Sequence, residues 1–447
     1  MNWNDIPSPA SDARVVYVST DGADTNDGYS PEESLRTITA ALTRMRHGFP
    51  DRLLLRRGDV FSLTDLPTTG IRWKCSGRSA SEPSMLGSYG NLALPRPKVV
   101  TDGRPGFEVR GGGGTPALIE HVVVMGVEFD AGSRVGDTHG IRLQLNMRDV
   151  LIEDVRVHGF FNGLTAQMTG GVIEGLTVRG CVFDHCFSTG TAHAQGIYCD
   201  EVTGLLIEGC VVDDVGENHP DIFMHGLYIQ GDARNVTVRE CMILRVSSHG
   251  AQLRSGGLFE RNVVVGCPIG LLLAGNGEAM KNVITEATDI SPTVPRRMAI
   301  DVQNVTLGAR IAGNVIAHTQ ASSSSRGVQI QPLEYPAGTW LGSHNVVVEG
   351  NTMHEWAGPS YRVIEPPGAA PGSTIHSGLV EHDNHWGATA GELVDPITIE
   401  AYAQKVGLDG SIAGLAAACV QQSRHAWRSD LSAEQIATAF RRGYARV

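Results

Sequence analysis

Ile207-Glu-Gly-Cys210-Val-Val212 is one of six close copies of a single phrase in the middle of the chain. Each copy has an apolar residue, two variable residues, an Asn or Cys, one more residue and a second apolar residue. The other copies are Val178–Phe183, Val238–Ile243, Phe259–Val264, Ile311–Ile316 and Val348–Met353, and weaker ones occur at Val127, Val155, Asn282 and Asn384. Successive Asn or Cys positions are 20 to 37 residues apart. A fixed phrase at variable spacing predicts a solenoid whose coils carry loops of different length.

The phrase predicts two short strands joined by a tight turn. Apolar and polar residues alternate on both sides of the Asn or Cys, and a period of two indicates strands rather than helices. An inward Asn at such a turn can hydrogen-bond backbone groups that the bend leaves unpaired, and stacked Asn side chains can bond each other. A buried Cys is a small apolar substitute of similar shape.

A second phrase, Gly (Ala in one copy) followed by an alternating strand, comes after each of these turns. Examples are His139-Gly-Ile-Arg142-Leu-Gln144, Gln195-Gly-Ile-Tyr198-Cys-Asp200, His225-Gly-Leu-Tyr228-Ile-Gln230, His249-Gly-Ala-Gln252-Leu-Arg254 and Met298-Ala-Ile-Asp301-Val-Gln303. Alternation predicts a core face with Ile141, Leu143, Ile197, Cys199, Leu227 and Ile229, and an outward polar strip with Arg142, Tyr198, Asp200, Tyr228 and Gln230. The Gly suits a positive φ or a close approach of backbone.

Over about residues 15 to 390 the chain resembles right-handed parallel β-helices of the pectate-lyase-like kind. The ladder, the three-strand coil and the opening Val15-Val-Tyr-Val-Ser-Thr-Asp-Gly carry this resemblance. It implies an all-β solenoid with a strand and a capping helix (about Leu35 to Met45) in 1–52, the β-helix in 53–395 and a helical segment in 396–447. A cap is needed because an open coil exposes core and strand edges. The fold hosts lyases, hydrolases, adhesins and phage tailspikes, so it does not fix the function.

Composition and charge set limits on partners. The 447 residues include 54 Gly and 6% aromatic residues, as turn-rich β-solenoids do. The net charge of −12 argues against nucleic acid as a partner, since phosphate binding requires a basic surface. The sequence has no apolar run of about 18 residues, which predicts no membrane span.

The eight cysteines are expected to be reduced. Cys181, Cys210 and Cys241 fill ladder positions, where stacked residues lie about 4.8 Å apart and can pack as thiols. Reduced thiols and the lack of a recognisable secretory signal at the N-terminus suggest folding in the cytoplasm. Together with the resemblance, this suggests a tailspike-like protein that acts outside the cell, attached to a virion or released. The resemblance to tailspikes implies a homotrimer.

The outward side of the Gly-headed strands is the predicted polysaccharide-binding surface. The loops that enter these strands are longest at 184–195 and 213–225, and long insertions on one flank of a solenoid commonly carry function. The catalytic candidates are Asp200, Arg254, His225, His249 and Tyr228, and the substrate-binding candidates are Tyr198, Gln230, Gln252, Arg142 and Gln144.

Each candidate also has a structural interpretation. Tyr198 and Tyr228 form either a platform for sugar rings or an aromatic ladder. Asp200 and Arg254 are either an acid–base group and a carboxylate clamp or a surface ion pair worth about 0–1 kcal/mol. His225 and His249 either transfer protons or cap turns, and strand parity aims them inward.

The acidic loop after the 207–212 phrase is a candidate Ca²⁺ site. Its possible ligands are Asp213, Asp214, Glu217 and Asp221, although solvated turn acids give the same pattern. No other cofactor is required by the expected chemistry.

Two reaction classes and one non-catalytic role fit the strip. Hydrolysis needs two carboxylates, which Asp200 and an acid of the 213–221 loop would supply. β-Elimination needs a base, a proton donor and a cation, for which a Tyr or His would be the base and Arg254 or Arg142 the cation. A lysine base is disfavoured because no Lys lies between Lys98 and Lys281. Alternatively, a ladder of Gln residues keeps the exposed sheet of a structural or adhesive spike soluble.

Overall fold

The computed structural model describes residues 3–5, 7–133, 136–216, 221–291, 294–319 and 325–447. The chain forms two compact units. The first unit comprises Met1–Cys210 together with Gln422–Trp427, and the second comprises Val211–Gln421 together with Arg428–Val447.

The strands of the first unit form three parallel sheets, and from Arg52–Arg56 onward every third strand along the chain joins the same sheet. Sheet 1 contains Val15–Val18, Arg52–Arg56, Ser84–Tyr89, Leu118–Met125, Asn146–Glu153, Ile173–Arg179 and Val202–Glu208. Sheet 2 contains Val60–Phe61, Lys98–Val100, Glu128–Asp130, Arg156–His158 and Val182–Cys186. Sheet 3 contains Ile71–Arg72, Phe107–Arg110, His139–Gln144, Asn162–Gln167 and Gln195–Asp200.

The second unit repeats this arrangement. Its sheet 1 contains Arg234–Arg239, Gly256–Glu260, Asn276–Met280, Ala309–Ala312, Val346–Glu349 and Val380–His382. Its sheet 2 contains Val211–Val215, Met242–Val246, Val263–Val265, Val283–Thr285, Val315–Thr319, Thr352–Trp356 and His385–Ala388. Its sheet 3 contains His225–Ile229, His249–Leu253, Ile269–Ala274, Arg297–Gln303, Ser325–Gln331 and Tyr361–Val363. A hairpin of Leu333–Glu334 and Trp340–Leu341 follows Gln331.

The register in sheet 3 stacks equivalent residues on successive coils. In the first unit Ile141 pairs with Leu164, which pairs with Ile197. In the second unit Leu227 pairs with Ala251, which pairs with Leu271. All six residues predicted to face the core are buried. The predicted alternation of sheet 3 is therefore confirmed.

The Asn and Cys ladder satisfies the backbone at the turn between sheets 1 and 2. In the second unit Asn282 Nδ2 donates to Phe259 O (2.9 Å) and to Asn314 Oδ1 (2.9 Å). In the first unit the thiol of Cys181 donates to Ile152 O (3.4 Å), and that of Cys210 donates to Val178 O (3.5 Å). Each Cys is a buried substitute of similar shape, as predicted, and it also repeats one of the hydrogen bonds that an Asn makes.

The Gly at the second position of several sheet-3 strands allows a close approach of backbone. A Cβ on Gly226 would lie 2.5 Å from Gly250 O of the next coil. Such a contact is too short for any side chain, so Gly226 is required by the spacing between these two coils, whereas Ala299 occupies the equivalent position in the strand Arg297–Gln303.

Helices occur near both ends of the chain. The α-helix Ile38–Leu42 lies within the predicted capping segment, and its N-cap residue Thr37 accepts from Ala40 N. The C-terminal α-helices are Ile399–Lys405, Ile412–Cys419 and Ala433–Gly443, and short 3₁₀ turns occur at Leu63–Asp65, Ala390–Glu392 and Ser429–Leu431. The last α-helix packs against Val263–Val265 and Val283–Thr285. It therefore lies along the flank of sheet 2 in the second unit.

Candidate active site

A pocket of about 210 Å³ opens on the outward side of sheet 3 in the second unit. Four adjacent strands of this sheet, from His225–Ile229 to Arg297–Gln303, and Gln331 of the next strand supply most of its lining. The lining residues are Ile222, Phe223, His225, Tyr228, His249, Gln252, Arg254, Ile269, Leu272, Arg296, Asp301, Gln303 and Gln331. Parallel stacking therefore brings residues from distant parts of the sequence into one cavity.

Asp301 is the one carboxylate among the described residues that line this pocket. Its side chain is buried, with the residue only 1% exposed. Gln303 Nε2 and Gln331 Nε2 donate to its Oδ2 at 2.7 and 2.6 Å, and Gln329 Nε2 donates to its Oδ1 at 3.4 Å. Burial raises the pKa of Asp301 to about 6. The hydrogen bonds from the three Gln side chains and the charge of Arg296 lower this pKa, but their effect is smaller than that of burial. A carboxyl group with this pKa can exchange a proton near neutral pH.

The Gln252 amide links His225 to Arg254. With its oxygen facing Arg254, it accepts from Arg254 Nη2 (2.9 Å) and Nε (3.1 Å), and its nitrogen donates to His225 Nε2 (2.9 Å). The His225 ring also lies 4.7 Å from that of Tyr228, and the Arg254 guanidinium carbon is 5.9 Å from the Tyr228 ring centre. The amide thus fixes the guanidinium beside the aromatic wall of the pocket.

His249 is a neutral hydrogen-bonding group. Burial and the nearby charges of Arg254 and Arg296 lower the pKa of His249 to about 3. The hydroxyl of Ser248 donates to Ile222 O (2.8 Å) and lies 3.0 Å from His249 Nδ1. Because the Ser248 hydroxyl donates its proton to Ile222 O, the Nδ1–H of His249 is the donor in the contact with Ser248, and Nε2 of His249 is an acceptor.

Five of the predicted site residues line this one pocket: Arg254, His225, His249, Tyr228 and Gln252. The expectation from strand parity that both histidines point inward is wrong. The ring of His225 packs on that of Tyr228, whose side chain is outward, and the two His rings lie 4.8 Å apart. The chain enters each strand from a turn, so strict alternation begins only after Gly226 and Gly250.

Four other predicted site residues belong to the first unit. Gln167 Nε2 lies 3.3 Å from Asp200 Oδ2 and 3.5 Å from the Tyr198 hydroxyl, so these three side chains are together. Arg142 faces Glu108 at 3.7 Å. Gln144 pairs in register with Arg110 on the outward side of sheet 3. Gln230, in the second unit, follows the strand that ends at Ile229 and is half-buried.

The candidate Ca²⁺ ligands do not converge where the structure describes them. Asp213 is buried and accepts from Arg245 Nε (2.9 Å) and Nη2 (2.6 Å), which makes it part of an ion pair between coils. Asp221 accepts from Phe223 N (3.0 Å), and Asp214 has a positive φ of 55°. Glu217 lies outside the described residues. No set of three His, Cys, Asp or Glu side chains within the described ranges is arranged to hold a metal ion.

Two functional candidates were not selected from the sequence. Asp301 occupies the same outward position in its phrase as Tyr228 and Gln252, which would have marked it as a site residue. Arg296 belongs to a loop outside the repeated phrases, and no sequence signal indicated it.

Comparison with known proteins identifies the fold. Residues 106–290 match the family model described as a right handed beta helix region. The chain is a right-handed parallel β-helix. No curated protein matches its sequence significantly.

Three solved structures illustrate what this β-helix is similar to. One is named rhamnogalacturonan lyase (12% identity, 86% of this chain and 91% of that chain, TM-score 0.50). One is named glycoside hydrolase (10% identity, 82% and 97%, TM-score 0.51). The third is a double mutant of the tailspike protein of E. coli bacteriophage HK620 (13% identity, 79% and 65%, TM-score 0.53). At such identities the likeness establishes the fold alone.

Two further properties follow from the described residues. No disulfide joins any of the eight cysteines, and seven of them are buried. The helices within the described ranges all fall short of the length and hydropathy that a membrane span requires.

Proposed function

We propose that this β-helix binds an acidic polysaccharide and cleaves it by β-elimination in the pocket around Asp301. The observation that carries the proposal is the combination of a buried carboxyl group of pKa about 6 with two arginines, Arg254 and Arg296, in one outward cavity. The likeness to structures named rhamnogalacturonan lyase and glycoside hydrolase supports the substrate class by analogy.

The arginines fit the negative charge of a uronate. Abstraction of the proton next to a uronate carboxylate builds negative charge on that group, and a fixed cation stabilises it. Arg254 is half-buried and held by Gln252, so little ordering is required when substrate binds. Arg296 adds a second positive charge, near enough to Asp301 and His249 to lower both pKa values.

Asp301 and Tyr228 fit the proton transfers of an elimination. At neutral pH a carboxyl group of pKa about 6 is mostly ionised, so Asp301 takes the role of base. Tyr228 carries the one hydroxyl among the described lining residues and takes the role of proton donor to the leaving sugar oxygen. Hydrolysis is less well supported, because it needs a second carboxylate.

The remaining lining residues fit a sugar ring. Tyr228 and His225 present a stacked aromatic surface, and the half-exposed Phe223 (51%) extends it at the rim. Aromatic faces pack well against the C–H faces of sugars. His249 Nε2 can accept a hydrogen bond from a sugar hydroxyl.

A setting on a phage particle, as a homotrimer acting outside the cell, is part of the proposal. Its support is the likeness to a phage tailspike and the absence of disulfides among eight cysteines. Light scattering of the purified protein tests the trimer, with a monomer as the contradicting result.

The test of the activity is incubation with acidic polysaccharides, including polyuronates and capsular polymers, and with neutral polymers as controls. Elimination releases shorter chains with an unsaturated end that absorbs in the ultraviolet. New reducing ends without that absorbance would show hydrolysis instead. If every acidic polymer stayed intact, the proposed cleavage would be wrong and the non-catalytic, adhesive role would be favoured.

A further inference from the structure

A second polar pocket, of about 360 Å³, lies in the first unit on the outward side of sheet 1. Its floor is apolar and includes Leu54, Met85 and Met125. Its walls carry Arg52, Arg57, Arg424 and His425, with Asp154 at one side and Asp5 at the rim. The N-terminal residues and the 422–427 segment both contribute to these walls. None of these groups belongs to the pocket around Asp301.

Arg57 is a buried cation that no carboxylate neutralises directly. It is 4% exposed, and its guanidinium donates to two neutral acceptors, Leu94 O (3.0 Å) and Ser88 Oγ (3.4 Å). The described carboxylates beside it form their ion pairs with other arginines, Asp154 with Arg96 and Glu153 with Arg424. Burial of a charge without a close counter-ion is costly, so this arrangement favours an external anion.

Arg52 adds a second incompletely satisfied guanidinium. One of its Nη2 hydrogens goes to Pro7 O, whereas Nε is buried without a hydrogen-bond partner. Burial lowers the pKa of Arg52 and of Arg57, and it also lowers the pKa of His425, with a further contribution from the charge of Arg57. The charge of Asp154 acts in the opposite direction on Arg57 and His425 and does not outweigh burial. These shifts have the sign expected in a desolvated, positively charged cavity.

The acidic groups beside the pocket are largely matched within the protein. Asp154 Oδ1 accepts from Arg96 Nη2 (2.5 Å) and from Arg424 N (2.8 Å). Glu153 accepts from Arg424 Nη1 (3.2 Å). Asp5 is solvent-exposed and lies 3.7 Å from Arg424. Asp154, Glu153 and Asp5 therefore pair with Arg96 and Arg424 rather than with Arg52 or Arg57.

We propose that this pocket binds a small oxyanion, phosphate or sulfate, through Arg57 and Arg52 with His425 at its edge. Oxyanions accept several charge-assisted hydrogen bonds at once and suit paired guanidinium groups. Bound there, the anion holds the 422–427 segment and the N-terminal residues against sheet 1. The ligand is either the free ion or the same group esterified to a sugar.

The test is a thermal-shift and calorimetric titration of the full chain with sodium phosphate and with sodium sulfate, against sodium chloride at equal ionic strength. We expect saturable stabilisation by phosphate or sulfate beyond that by chloride. A sulfated monosaccharide in a parallel titration distinguishes the sources: tighter binding than inorganic sulfate indicates the ester, and weaker binding indicates the free ion.

Three variants make the assignment specific. Arg57→Gln and Arg52→Gln should each weaken anion binding about tenfold or more, the effect of losing a charge-assisted hydrogen bond. Arg148→Gln is the matched control, since Arg148 lies on sheet 1 of the same unit but is paired with Glu120 and Glu174. If Arg57→Gln does not fold, the half-buried Arg52 decides the question. Equal anion affinity in Arg52→Gln and wild type, or stabilisation no greater than that by chloride, would overturn the proposal.

Discussion

Replacing Asn282 by Ala should destabilise the second unit by about 4 kcal/mol. Asn282 is fully buried, and its side chain donates to Phe259 O and accepts from Asn262 N, each at 2.9 Å. Alanine leaves this carbonyl and this amide without partners, at about 1–3 kcal/mol each. It also removes the hydrogen bonds to Asn314 and from Asn262 Nδ2, whose other partners remain.

Equilibrium unfolding in urea, followed by circular dichroism, measures this loss at unchanged m-value. Asn282→Cys should lose only about half as much, because Cys181 and Cys210 donate to the equivalent carbonyls in the first unit. Gln421→Ala is the control, since Gln421 is exposed in the second unit and should change the stability by no more than about 0.5 kcal/mol. A loss below about 1 kcal/mol for Asn282→Ala would refute the account of the ladder.

Four further predictions use other measurements. Arg254→Gln should lower kcat/KM on an acidic polymer by about tenfold to a hundredfold, the contribution of a charged hydrogen bond. Arg310→Gln is the control and should leave kcat/KM unchanged, because Arg310 is paired with Glu349 outside the pocket. Equal losses in the two variants would contradict the role of Arg254 in binding the uronate carboxylate. The rate should rise through about pH 6 as Asp301 loses its proton, and a fall there would reverse its role. Burial and the charges of Glu400 and Glu355 raise the pKa of Glu286 from 4.5 to about 7. Between these two pH values the folded state holds a proton that the unfolded chain releases, so Tm should decrease as the pH rises from about 4.5 to about 7. The decrease should be less steep in Glu286→Gln. The seven buried thiols should react with a disulfide reagent only after denaturation, and rapid reaction of the native protein would contradict their burial.

The ladder and the alternation of sheet 3 could be predicted because each depends on local residue pattern. An Asn or Cys recurring in one phrase has the same surroundings in every coil, so Cys210 and Asn282 make equivalent contacts. The core face of a strand is likewise fixed by its period of two, as Leu227 and Ile229 show.

The site was less predictable because it depends on how turns aim side chains and on partners far along the chain. Parity misplaced His225 and His249, which lie where a turn becomes a strand. Asp213 was chosen for its acidic loop, but its partner Arg245 lies 32 residues away, and only the register of sheet 2 brings the two together. Asp301 was passed over because two of its three Gln partners, Gln329 and Gln331, become its neighbours only when the coils stack.

The most direct test of the proposed site compares Asp301→Asn with wild type, measuring oligosaccharide affinity by calorimetry and turnover by ultraviolet absorbance on the same acidic substrate. The side chains have nearly the same shape, and Asn cannot act as the base. We predict similar affinity and a fall in kcat of about a hundredfold or more, the usual contribution of a general base. Turnover within about tenfold of wild type would contradict the assignment of Asp301 as the base.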